Sequence, residues 1–126
     1  MKLLLVVDDE YAVVEALADL LREVNYEVIT ANHGKHALEL LKTSKPVCCL
    51  VDMMMPVMGG VALIAAMHAD PTLATIPVIL MSAVAREEHL EMHKVAAILR
   101  KPFGLSKLLE VLETVIGAKG SEPSAR

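Results

Sequence analysis

The chain predicts a doubly wound α/β fold around a parallel sheet, and three observations carry that reading. Four apolar runs, residues 3–7, 48–51, 78–81 and 96–99, are continuous rather than alternating. Runs of that kind read as parallel strands covered on both faces. Between them lie segments whose apolar residues recur at helical spacing. Each run then ends in chemistry: Asp8-Asp9, Asp52, Ser82 and Lys101-Pro102. In open α/β sheets, ligands bind at the carboxyl ends of the strands. Three acids, a hydroxyl and an ammonium should therefore meet on one rim.

Five strands are expected near 3–7, 27–30, 47–51, 77–81 and 96–99, alternating with five helices. The first helix, 11–24, turns Val13, Val14, Leu17, Leu20, Leu21 and Val24 to one face, with Glu15, Asp19, Arg22 and Glu23 opposite. The second begins after Asn32 and carries Ala37, Leu38 and Leu41. The third follows Pro56 and stops near Ala69, before Asp70-Pro71. A fourth is placed near 86–94. The fifth, 105–116, turns Leu105, Leu108, Leu109, Leu112, Val115 and Ile116 inward and ends at Gly117. Residues 1–117 thus form one domain, and 118–126 read as a mobile, polar C-terminal tail.

A chain of 126 residues, 55% hydrophobic, is long enough for one well-filled core. A net charge of −4 without a Lys/Arg cluster argues against a nucleic-acid surface. No apolar run approaches a membrane span, and the first residues enter a strand without a signal peptide. Cys48 and Cys49 are neighbours in a strand, so their side chains point to opposite faces and do not pair. Reduced thiols and a cytoplasmic location are the expectation.

The rim chemistry is coherent only as a unit. Asp8, Asp9 and Asp52 repel one another unless a cation neutralises them. Few carboxylates with positions left for water and phosphate suit Mg²⁺. Lys101 supplies a point charge for phosphate oxygens, and Ser82 one hydrogen-bond donor. Asp52 is the natural nucleophile, because a carboxylate that attacks phosphorus becomes an aspartyl phosphate.

Val7-Asp8-Asp9-Glu10, the stretch from Asp52 through Met53-Met54-Met55-Pro56-Val57-Met58 to Gly59-Gly60, Pro77 to Ala83, and Lys101-Pro102-Phe103 together resemble a response-regulator receiver domain, the phosphoacceptor half of two-component signalling. The match runs in order from residue 3 to about 116. It implies a flavodoxin-like sheet of order 2-1-3-4-5 and a stand-alone, chemotaxis-type receiver. Such a protein catalyses only its own phosphorylation and dephosphorylation. The resemblance implies Mg²⁺ (or Mn²⁺) held by Asp9 directly, Asp8 partly through water, Asp52 and the backbone carbonyl of Met54. Asp52, Ser82 and Lys101 are the implied catalytic residues. A histidine kinase or histidine phosphotransfer protein is the implied donor in a phosphorelay, and a downstream protein the implied target. The chain is expected to be a monomer or weak dimer, without nucleic acid or membrane insertion.

Two departures from the family pattern stand out. Ile98 replaces the aromatic residue or His usual three positions before the lysine, and the stretch from Ser82 to Lys101 is short, with Lys94 where Gly is typical. Both predict altered coupling between Asp52 and the output face that the family builds from helix four, strand five and helix five. Receivers also place the side chains two positions after the acceptor and two after the hydroxyl beside the path of attacking water. Met54 and Val84 occupy those positions and orient no water, which predicts slow self-dephosphorylation.

Blander readings accompany each residue. Asp8 and Asp9 could cap the first helix. Ser82 could be an ordinary strand-end serine. His89 and His93 stand at i, i+4 but lack a third ligand, and His33, His36 and His68 read as surface residues. A haloacid-dehalogenase-type phosphatase would need a second Asp two residues after the nucleophile, where Met54 stands. A flavodoxin-type electron carrier would need aromatic residues to stack flavin, and the chain has two Tyr, one Phe and no Trp.

Overall fold

The computed structural model describes residues 1–55, 57–83 and 95–120, the last three as backbone only. The strands are β1 (Lys2–Val7), β2 (Tyr26–Ala31), β3 (Cys48–Asp52), β4 (Val78–Ser82) and β5 (Ala97–Arg100). All neighbouring pairs are parallel, in the order β2-β1-β3-β4-β5. The chain therefore steps outward in both directions from β1, and the strand order reverses beside β1 and β3, where Asp8 and Asp52 stand. The described helices are α1 (Tyr11–Glu23), α2 (Gly34–Thr43), α3 (Gly60–Ala69) and α4 (Leu105–Gly120). The helix expected near 86–94, with His89, His93 and Lys94, lies outside the described residues.

Strand alternation splits the core into two layers. Leu4, Val6, Cys48, Leu50, Ile79 and Met81 face the side covered by Leu17 and Leu21 of α1 and Leu108 and Leu112 of α4. Leu5, Val7, Cys49, Val51, Val78 and Leu80 face Ala37 and Leu41 of α2 and Leu63, Ile64 and Met67 of α3. Cys48 and Cys49 thus lie on opposite faces and are both free thiols. Burial on both faces holds for β3 and β4 throughout. At the sheet edge only Leu99 of β5 is fully buried, because an edge strand has one neighbour rather than two.

Several expectations are corrected at the margins of elements. Leu20 of α1 and Val24, the residue that follows its last turn, are each 38% exposed while Ala18 is buried, so the inward stripe is narrower and shorter than the sequence suggests. Leu105, at the first turn of α4, is also exposed. α4 continues three residues past Gly117, since no residue there adopts the left-handed conformation that would stop it. α3 starts only at Gly60. Val57 has a positive φ of 68°, which no α-helix accommodates, so the chain turns before the helix begins. His33 is no bystander, because its Nδ1 accepts the His36 N–H at 3.1 Å and caps α2.

Candidate phosphoacceptor site

Each candidate residue is fixed where a strand ladder runs one rung beyond its apolar stretch. The Asp8 N–H donates to the Ala31 carbonyl at 3.2 Å, the Met53 N–H to the Met81 carbonyl at 2.9 Å, and the Lys101 N–H to the Ser82 carbonyl at 2.8 Å. These bonds set the heights of Asp8, Asp52 and Lys101 relative to one another. Gly60 lets α3 approach the end of β3, since a Cβ there would lie 2.7 Å from the Asp52 carbonyl oxygen. Gly34 does the same for α2 beneath Met58, whose carbonyl accepts the Gly34 N–H at 3.2 Å.

The expected residues do converge. Carboxylate oxygens of Asp8, Asp9 and Asp52 all lie within 4.8 Å of one another. Lys101 Nζ donates to Asp52 Oδ1 at 2.9 Å and to Asp8 Oδ2 at 3.3 Å. Asp8 and Asp52 are buried, Asp9 is exposed, and the Lys101 side chain is a quarter exposed. Asp8 Oδ1 also accepts the Glu10 N–H at 3.0 Å. The helix-cap reading of Asp8-Asp9 is not what the geometry gives: the residue preceding α1 is Glu10, and no side chain caps it.

Charge decides what the cluster can hold. Three carboxylates against one ammonium leave these four groups two charges negative. Burial raises the Asp52 carboxyl above its ordinary value, Lys101 pulls it back, and Asp8 and Asp9 push it up again. Burial disfavours the Lys101 ammonium, but the Asp52 and Asp8 carboxylates outweigh that and raise it. A hard divalent cation would cancel the remaining charge, and an all-oxygen donor set fits Mg²⁺. Among the described residues the donors grouped here are carboxylate oxygens, which soft metals do not favour.

Ser82 is buried at the end of β4, and its Oγ donates to the Met53 sulfur at 3.5 Å. That contact was not legible in the sequence, where Met53 read only as part of a motif. Its one signal is position, one residue past Asp52 at the end of the strand hydrogen-bonded to β4. Met54 is 67% exposed, beyond the pinned Met53. Val84 and Pro56 lie outside the described residues.

With this geometry in hand, the comparisons with known proteins agree. The chain matches the response regulator receiver domain over residues 4–113 and belongs to that family. It is similar to the polar-differentiation response regulator DivK of Brucella anthropi, 27% identical over 119 residues, which covers 92% of this chain and 97% of that protein. A response regulator receiver protein of Anaeromyxobacter is 33% identical over 112 residues, 88% of this chain but 47% of the relative. Among solved structures, TrrA of Thermotoga maritima, crystallised with Mg²⁺-BeF, superposes with a TM-score of 0.83 at 27% identity, over 91% of this chain and 99% of that one. The chemotaxis response regulator CheY4 of Vibrio cholerae gives 0.84 at 27% identity, over 91% and 98%.

Proposed function

We propose that this receiver accepts a phosphoryl group on Asp52 from the phosphohistidine of a histidine kinase or phosphotransfer protein, and signals by phosphorylation-dependent protein docking. The observation that carries the reading is the buried Asp52 carboxylate held 2.9 Å from Lys101 inside a cluster of two further acids. An oxygen of Asp52 attacks phosphorus as the phosphorus–nitrogen bond of the donor breaks, and the released imidazole nitrogen takes up a proton. Oδ1 is engaged by Lys101, which leaves Oδ2 as the attacking atom. Lys101 then has an ammonium for the phosphoryl oxygens, and Ser82 exchanges the weak Met53 acceptor for one of those oxygens. Positioning and charge supply the catalysis. Asp8, Asp9, Asp52 and the Met54 carbonyl would hold Mg²⁺, which supplies charge neutralisation when bound.

The protein catalyses its own phosphorylation and dephosphorylation and no other turnover. A cytoplasmic place fits the reduced, buried thiols, and no helix among the described residues is long and apolar enough to cross a membrane. A downstream protein is the expected target, with the chain a monomer or weak dimer. The test is labelling with phosphorylated kinase or a small acyl phosphate. Wild type gains an acid-stable, base-labile phosphoryl group, and Asp52→Asn gains none. Full labelling of the variant at another residue would overturn the assignment.

A further inference from the structure

The first turn of α2 is closed by a side chain outside the usual set. Ser, Thr, Asn and Asp ordinarily accept at that position, and none of them gains or loses a proton near neutral pH. Here the cap is His33, in extended backbone with φ −166° and ψ 171°, and its Nδ1 accepts the His36 N–H at 3.1 Å. A ring nitrogen that accepts carries no proton, so this ring is neutral with its hydrogen on Nε2. His36 is placed the other way. Its Nδ1 faces Asn32 Oδ1 at 3.4 Å, and an oxygen of that kind only accepts, so Nδ1 donates whether or not the ring is charged. The cap also sits at a junction. The next residue, Gly34, donates its N–H to the Met58 carbonyl at 3.2 Å, and a Cβ on it would lie 2.6 Å from Met58 Cγ. The first residue of α2 is thus seated directly on the connection that leads from β3 to α3.

We propose that His33 is a pH-sensitive clasp: as a neutral ring it closes the first turn of α2 against Met58, and on taking a proton it releases that turn. The device is independent of what Asp52 accepts. A proton on Nδ1 removes the acceptor, and the His36 N–H loses its partner. The new charge stands at a helix N-terminus, where the backbone dipole opposes it. The first turn of α2 holds no acid to offset that charge, and Lys35 adds another cation. The His36 ring lies 6.0 Å away between centroids and repels His33 when both are charged. From α1, Tyr11 and Glu15 line the same cleft as Asn32 and His36, and neither ring makes an ion pair among the described residues. From the β3–α3 connection, Met58 brings a carbonyl and an uncharged side chain. The unfolded chain has no cap to lose. The contribution of the clasp is therefore complete above the ordinary imidazole range and is lost as pH falls through it.

The experiment compares the full-length chain with His33→Asn and His33→Ala between pH 7.5 and pH 5. Amide hydrogen exchange, corrected for its intrinsic pH dependence, is read by NMR at Gly34 and His36. Wild-type protection of both amides should fall about fivefold across that range, the typical worth of one cap. Asn accepts at the cap without titrating, so His33→Asn should keep both amides protected throughout. His33→Ala should start at the lower level and stay there. Denaturant unfolding gives a second reading, because every other titrating group is common to the wild type and His33→Asn. The ratio of their unfolding constants should change about fivefold, with the wild type weakening in acid. A constant ratio overturns the proposal, as does wild-type protection that persists at pH 5. An equal acid loss in His33→Asn would assign the response to another group, His36 included, and overturns it too. Loss confined to the His36 amide, with Gly34 still protected, overturns the release from Met58.

Discussion

Cys48 and Asp52 are the two ends of one strand, and the fold treats their ionisable groups differently. Cys48 is fully buried in the layer beneath α1 and α4, and burial pushes its thiol up to about 12. Asp52 is 6% exposed, and burial pushes its carboxyl up as well. The difference lies in what is placed opposite. Nothing cationic faces Cys48 among the described residues, so it stays neutral and packs as a small hydrophobe. Asp52 meets Lys101, brought in one rung past the end of β5. Within the sheet, burial removes charge. At its carboxyl end, where loops from several strands meet, the fold can retain charge and put it to use.

The sharpest way to break this comparison is to disturb each end separately. Leu50 sits in mid-strand with no exposure, so Leu50→Ala should cost about 3–5 kcal/mol in denaturant unfolding. At the rim the signs should diverge. Lys101→Ala leaves two buried carboxylates without their cation, and the loss should be about 2 kcal/mol because Lys101 is partly exposed. Asp52→Asn removes a carboxylate whose charged form the fold disfavours, and should raise metal-free stability. If both variants destabilised equally, the rim would be held together by shape rather than charge.

The parts of this contrast legible in the sequence are those fixed by the chain alone. The apolar runs marked β1, β3 and β4 to within a residue or two, and the acids and lysine expected at one rim do lie together. What escaped depends on the partners of each residue. The periodicity of α1 marks its apolar stripe, but whether Leu20 and Val24 at the stripe's margins are covered depends on what packs there. The late start of α3 depends on the left-handed Val57, a conformation its β-branched side chain disfavours and the sequence therefore argues against. The Ser82–Met53 contact joins residues on two strands through a side-chain rotamer that no spacing encodes.

The next prediction sharpens the rim itself. Met54, two residues past the proposed acceptor Asp52, is exposed and its side chain offers no strong hydrogen bond to water, and that of Val84 offers none either. Met54→Asn with Val84→Glu should speed loss of the phosphoryl group about tenfold, or about 1.4 kcal/mol of barrier. Following label after removal of the donor measures it. An unchanged or slower rate would mean that these side chains do not control water access.

The smallest effect belongs to the buried end of β3 and follows from the sign of its pKa shift. A thiol raised in the fold contributes stability that is complete below its unfolded value of 9.0 and is lost as pH climbs towards the folded value of about 12. The ionisation of Cys48 should therefore leave stability unchanged near neutral pH. By pH 9.5, the unfolded thiol is mostly ionised and the folded one is not, which costs about 0.8 kcal/mol. Cys49, raised by burial and by its neighbour, should add a similar amount. Cys48→Ala lowers stability at every pH through its lost volume but should halve this alkaline slope. Alkylation by iodoacetamide at pH 8.5 should be slow in the folded protein and rapid once it is unfolded. Fast labelling of Cys48 in the folded state would show that water reaches the start of β3, and the contrast between the two ends of the strand would then fail.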